Sequence, residues 1–214
     1  NVLSAGLRQG PARQAMRQAG LPDSAGATTI NKLCGSGMKA TMMAHDAIKA
    51  GSVDVAVAGG MESMSKAPYL LENARGGYRM GHGDQAKDHM FLDGLEDAET
   101  GKLMGAFAQG MADSKSYTRE QMDNYAIRSL NRAKEAIDKG LNTAEIVAVT
   151  VKSRRGETLV EQDEQPHNAN IEKIPYLKPA FQKDGTVTPA NSSSISDGAA
   201  ALVMMKLSDA EKGG

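Results

Sequence analysis

The stretch between residues 27 and 60 is compatible with few folds. A short β-branched run, Ala27-Thr28-Thr29-Ile30, leads into a glycine-flanked turn, Asn31-Lys32-Leu33-Cys34-Gly35-Ser36-Gly37-Met38. A helix-forming segment from Ser36 to Ala50 follows, with Met38, Met42, Ala44 and Ile48 among its apolar positions, and Gly51 closes it. Val53-Asp54-Val55-Ala56-Val57-Ala58 then reads as a mostly buried strand ending at Gly59-Gly60. Strand, helix and strand in this order, with short connections, form a βαβ unit and predict a parallel sheet. The fold class is therefore α/β.

Cys34, the only cysteine in 214 residues, lies at the first strand–helix junction. Near a helix N-terminus, unpaired N–H groups and the macrodipole favour a thiolate over a thiol. Gly35 and Gly37 carry no side chains, so a substrate can approach the sulfur along the backbone. A lone cysteine is nevertheless more often a small buried hydrophobe, and position alone does not decide between the two readings.

Composition narrows the function classes. The net charge is -1, with 24% charged residues, so no basic field points to nucleic acid. Aromatic residues are only 4% and tryptophan is absent, which argues against a base-stacking surface. The longest apolar run, Ala199 to Met205, is too short to span a bilayer. No signal-peptide pattern opens the sequence, and one cysteine cannot form an internal disulfide, so a reducing, cytoplasmic compartment is expected.

Elsewhere the chain alternates between regular and irregular texture. Pro11 suits a first helical turn and Ala12 to Ala19 continues it. Residues 65–101 are irregular and too long for an ordinary connection. Tyr117 to Gly140 predicts a helix with a capping box at Thr118-x-x-Gln121 and an apolar face through Met122, Tyr125, Ala126, Ser129, Leu130, Ala133 and Ile137. Ile146 to Val151 and Glu157 to Glu161 predict a hairpin turning at Arg155-Gly156. Lys152, Arg154 and Arg155 read as the solvated cluster of that turn, and Gly198 to Lys206 as an apolar strand.

The histidines offer little. His45 lies eleven residues beyond Cys34 on the same helix, ~16 Å along its axis, and reads as a surface side chain. His82 and His89 flank Asp84 and Asp88 without a recognisable ligand spacing, so no metal site is expected.

Three blocks carry a family resemblance. Asn31-x-x-Cys34-x-Ser36-Gly37 resembles the nucleophile motif of the thiolases, acyltransferases that work on CoA thioesters. Ala58-Gly59-Gly60-Met61-Glu62-Ser63-Met64-Ser65 is similar to a second thiolase signature. Lys178-Pro179-Ala180-Phe181, Gly185-Thr186-Val187-Thr188 and the run from Asn191 to Ala199 resemble a third. The blocks stand in the family's order and spacing. Ketoacyl synthases share the fold, but the Gly-Gly-Met-Glu-Ser-Met-Ser block favours thiolases.

The resemblance implies a thiolase-like α/β fold. An incomplete N-terminal core, mainly parallel sheet with covering helices, is expected at 1–64 and 195–214, with an α+β loop domain inserted at 65–194. It also implies a piece of roughly half an enzyme, with further sequence before Asn1 and a second half after Gly214. The implied reaction joins two acetyl-CoA into acetoacetyl-CoA and CoA, or reverses this, through an acyl intermediate on Cys34. Degradation of longer 3-oxoacyl-CoA and non-catalytic CoA binding are the alternatives. The family draws its other catalytic groups from an Asn-Glu motif, a Gly-His-Pro block and a second cysteine; none occurs here, so the chain by itself is expected to be inactive. Residue by residue, the resemblance puts Leu95, Met104 and Phe181 in apolar contact with CoA and gives Ser193 a hydrogen bond to the pantetheine. Leu103 stands where some relatives carry His, and Ser194 where Gly is common. CoA thioesters enter as substrates, with no cofactor and no metal. A homodimer or homotetramer is implied, with neither nucleic acid nor membrane as partner.

Overall fold

The computed structural model describes residues 1–83 and 85–213. Its chain divides into two units, Asn1–Leu103 with Ile195–Gly214, and Met104–Ser194. The stretch 65–103, which the sequence reading puts in the insertion, falls within the first of these compact units. In chain order the helices are α1 (Pro11–Gln18), α2 (Ser36–Lys49), α3 (Met104–Ser114), α4 (Arg119–Asp138), α5 (Glu164–Asn168) and α6 (Leu207–Gly213). The strands are β1 (Val55–Ser63), β2 (Tyr69–Leu70), β3 (Lys87–Asp88), β4 (Val149–Ser153), β5 (Gly156–Val160) and β6 (Asp197–Met205). No helix among the described residues is long and apolar enough to cross a membrane.

In the first unit, α1 starts as its sequence suggests, with Pro11 in the first turn and Gly10 in the left-handed region at φ 55°. Arg17 pairs with Asp23 at 2.8 Å, and Arg13 donates to the Ala25 carbonyl, tying the helix to the loop that follows it. The expected parallel sheet is absent among the described strands. β1 pairs with β6 in antiparallel register, from Val55 opposite Met205 to Ser63 opposite Asp197. Residues 27–30 have no strand partner among the described residues. The crossover rule fixes direction only for strands joined within one sheet. Here β1 meets its partner after the whole second unit intervenes, and so long an excursion can return in either direction.

Helix α2 covers one face of β1. Ala58 is buried there, Ala56 and Gly60 are half-buried, and a Cβ added on Gly60 would come to 3.5 Å from Gly37 Cα. The opposite face carries Val55 and Val57 beside Val203, all exposed. The strand expected to be mostly buried is therefore buried on one side only, as its period-two alternation requires. Met38 and Met42 of α2 are likewise exposed, whereas Ser36 and Ile48 are buried.

A Cβ placed on Gly59 would run into the Ala200 carbonyl oxygen across the ladder. That obstacle is backbone and cannot rotate away. Gly59→Ala is expected to cost about 1–3 kcal/mol, read from urea unfolding; an unchanged midpoint would show that the ladder tolerates the side chain.

The second unit is built on α3 and α4. Thr118 and Gln121 form the expected capping box: Thr118 Oγ1 accepts from Gln121 N at 3.2 Å, and Gln121 Oε1 accepts from Thr118 N at 3.0 Å. Of the expected apolar face, Met122, Ala126, Leu130, Ala133 and Ile137 are half-buried, but Tyr125 and Ser129 are exposed. Tyr125 instead lies under the Arg128 guanidinium, 5.0 Å from the ring centroid. Asp123 occupies the buried centre, held by Arg119 Nε at 2.6 Å and Asn191 Nδ2 at 3.1 Å. Arg119 also donates to the Ile174 carbonyl at 2.8 Å, bringing the short 3₁₀ turn Ile171–Tyr176 to the helix. The hairpin forms as β4 and β5, turning through Arg154-Arg155 one residue earlier than expected; Lys152 pairs with Glu157 across it at 3.0 Å.

Candidate active site

The turn before α2 is built from its own polar side chains. Asn31 Oδ1 accepts from Leu33 N at 2.9 Å. Buried Ser36 accepts from Lys32 N at 2.9 Å and donates from Oγ to the Leu33 carbonyl at 2.7 Å. Leu33 is thereby held in the left-handed region at φ 51°, uncommon for a residue with a branched side chain. The chain reverses tightly, and the next residue, Cys34, is presented exposed with its thiol unbridged. Gly35 caps α2, whose first N–H groups have no partner within the helix.

Cys34 opens into a cavity of about 550 Å³ within the first unit. Its walls are largely apolar: Leu33 beside the cysteine, Met61 and Met64 at the end of β1, Met90 and Leu95 from the 89–95 turn, and Ala199 and Ala200 from β6. Gly60 and Gly198 leave the backbone bare at the same mouth. Glu62 also lines it, but its carboxylate is engaged, accepting from Val2 N at 2.7 Å and Leu3 N at 3.0 Å. Neither a histidine nor a second cysteine is among the described lining residues.

The rim is braced where β6 begins. Asp197 accepts from both the backbone N–H and the hydroxyl of Ser65, pinning the turn after β1 to the start of β6. The hydroxyl bond, then the backbone one, holds the Asp197 carboxyl below the usual carboxylate range. A carboxyl whose folded value is lowered adds stability above its unfolded value of about 3.9 and loses it as pH falls through the folded one. Asp197→Asn is expected to flatten the acid limb of the stability profile below about pH 4; an identical profile in the variant would remove this role.

Of the residues the sequence singles out, Cys34 and Leu95 come together in this cavity. In the second unit, Phe181 lies over Gly105, where a Cβ would collide with its ring, next to Met104 at the start of α3. Phe181 and Met104 are both partly exposed there. Ser193 is exposed in the segment that precedes β6. His45 is exposed, its Nδ1 3.0 Å from Asp46. His89 is buried, and Asp84, part of the same reading, lies outside the described residues. No group of three or more His, Cys, Asp or Glu among the described residues is placed to hold a metal ion.

Sequence reasoning missed the builders of the site. Asn31 and Ser36 flank the cysteine at the offsets where Asx and Ser side chains close turns on their own backbone, a signal present in the sequence. Gln109 gave none. It is almost fully buried, accepting from Thr186 N and Val187 N at 2.9 Å each and donating to Asp113 at 2.8 Å.

The family model for the thiolase N-terminal domain matches residues 1–208. An acetyl-CoA acetyltransferase of Escherichia coli is 49% identical over 212 residues, 98% of this chain and 54% of the relative. Acetyl-CoA acetyltransferase 2 of Arabidopsis thaliana is 50% identical over 208 residues, 96% of this chain and 51% of the relative. Among solved structures, an acetyl-CoA acetyltransferase from Syntrophomonas wolfei superposes with a TM-score of 0.90 at 40% identity, over 99% of this chain and 53% of its own. A thiolase from Ascaris suum in complex with coenzyme A superposes at 0.88 with 41% identity, over 100% of this chain and 54% of its own. The chain spans about half the length of the curated relatives it matches. With the match running from Asn1 through the cysteine turn and on to β6, the chain belongs to the thiolase family.

Proposed function

We propose that this chain carries the nucleophile of an acetyl-CoA C-acetyltransferase, an enzyme that makes or cleaves acetoacetyl-CoA through an acyl group carried on Cys34. The observation that supports this most is the exposed thiol at a side-chain-built turn, opening on an apolar cavity at a helix N-terminus. In the first step the Cys34 sulfur attacks the thioester carbonyl. A new carbon–sulfur bond forms, the bond to CoA breaks, and CoA leaves as the thiol, taking up the proton that the Cys34 thiol gives up. The Cys34 N–H serves as one donor to the developing oxyanion.

The second step removes an α-proton from another acyl-CoA and needs a base. Glu62 is occupied by two backbone N–H groups, and the described lining holds no histidine. We assign the base and the second set of oxyanion donors to sequence beyond these residues, so that this chain by itself does not turn over. CoA lies against Leu95, Met104 and Phe181 with Ser193 on its pantetheine, as substrate rather than cofactor. The core at 1–64 and 195–214 and the loop domain at 65–194 remain the division we propose, working as a homodimer or homotetramer in the cytoplasm.

The test compares acetoacetyl-CoA with longer 3-oxoacyl-CoA substrates in CoA-dependent cleavage by the full chain, meaning the complete protein of which these 214 residues form a part. A higher kcat/KM for acetoacetyl-CoA supports the reading, preference for long chains replaces it with the degradative one, and turnover of neither defeats both.

A further inference from the structure

One buried titratable side chain near the cavity has no part in the chemistry above. The His89 side chain is 6% exposed, on the turn that leads into Met90 and Leu95. Both ring nitrogens are engaged. Nε2 accepts from the Ala5 N–H at 3.3 Å, so the ring proton sits on Nδ1, which donates to Asp93 Oδ2 at 2.5 Å. The imidazole thus joins two segments of the cavity wall, the N-terminal strip 1–5 and the turn 89–95.

That turn has an unusual form. Phe91–Leu95 is a π-helical turn, closed by Glu96 N on the Phe91 carbonyl at 2.9 Å, and it carries Leu95 at its end. Single π turns are rare and concentrate at functional sites. Two further contacts hold it. A Cβ on Gly94 would come 3.2 Å from Leu3 Cδ2, so the buried Leu3 side chain rests on the bare backbone of the turn. Glu62 fixes that same strip through the N–H groups of Val2 and Leu3. At the start of the turn, the backbone N–H of His89 donates to the Pro68 carbonyl at 3.1 Å.

We infer that His89 is a positioning residue for thioester binding: through Asp93 on one side and Ala5 on the other it sets the π turn that presents Met90 and Leu95 to the Cys34 cavity. The inference rests on the function proposed above. It assigns His89 no proton transfer, since neither nitrogen is available to a substrate. A glutamine can offer one acceptor and one donor at similar reach, whereas leucine fills the space and offers neither.

The experiment alkylates Cys34 with iodoacetamide in the full chain and in its His89→Leu and His89→Gln variants, with CoA titrated as protectant. The rate without CoA reports the thiol; the CoA concentration giving half protection reports the wall. His89→Leu is expected to raise that concentration by ~10-fold, and His89→Gln to recover most of the loss. KM for acetoacetyl-CoA should rise in parallel in His89→Leu, with a smaller change in kcat. Equal protection in all three proteins overturns the inference, as does an equal loss in both variants accompanied by a matching fall in thermal midpoint. Absence of CoA protection in the unsubstituted chain is the separate result that defeats the functional reading itself, and the inference with it.

Discussion

Cys34→Ser in the full chain is expected to lower acetoacetyl-CoA cleavage by at least about four orders of magnitude, the scale on which enzymes lose rate when a covalent nucleophile is removed. The substitution changes one atom in an exposed side chain, so the turn built by Asn31 and Ser36 and the ladder beneath it stay as they are. A hydroxyl is far less ionised than a thiol at neutral pH and is a correspondingly weaker nucleophile toward a thioester. Coenzyme A affinity, measured by calorimetry on the same protein, should remain within about twofold, because the proposed CoA contacts do not include the sulfur. A variant that retains activity within about tenfold of the unsubstituted chain would move the nucleophile elsewhere.

The second large effect concerns the scaffold under Phe181. Gln109→Leu is expected to destabilise the second unit by about 3–4 kcal/mol, since each buried polar group left without a partner costs roughly 1–3 kcal/mol. Two backbone N–H groups lose their acceptor, that of half-buried Thr186 and that of buried Val187, while the Thr186 hydroxyl and the exposed Asp113 lose a donor that water replaces. The loss spreads to the proposed CoA contact, because Ala180 N donates to the Val187 carbonyl at 2.9 Å just before Phe181. Gly185, which packs against the glutamine amide, leaves no spare volume for a branched replacement to relax into. Denaturant unfolding monitored by far-UV circular dichroism gives the number; a loss below about 1 kcal/mol would mean that water replaces the amide.

Elements with local signals were legible. Helix α4 could be read because Thr118 and Gln121 announce its start and Gly140, at φ 63°, its end. Helix α2 and the β4–β5 hairpin were equally plain, since a glycine terminates one and an Arg-Arg-Gly turn folds the other. What was hidden depends on partners far along the chain. The direction of β1 is set by a strand beginning at Asp197, and its first anchor, Ser65 to Asp197, spans 132 residues. Helix α3 has glycines at 105 and 110, poor helix formers, and is held by the burial of Gln109 and by the Phe181 ring over Gly105. The exposure of Val57 was misjudged for a related reason: apolar character says that a face can be covered, not that a described residue covers it.

The candidate site was legible unevenly. Cys34 stood out by its junction, but its assignment as nucleophile came from three motif blocks rather than from periodicity. Leu95 emerged only through that resemblance, and the structure places it on the cavity wall beside Cys34. His89 drew notice only as one of two histidines flanking Asp84 and Asp88 without a ligand spacing. The positioning role inferred for it rests on Ala5, distant in sequence, which donates to its ring.

The central claim is that Cys34 accepts the acyl group, and intact-protein mass spectrometry of the full chain after incubation with acetyl-CoA tests it most directly. The account predicts a mass gain of one acetyl group, mapped to Cys34 by peptide fragmentation and discharged on adding free CoA. An unmodified protein under turnover conditions, or an acetyl group mapped to another residue, would contradict it.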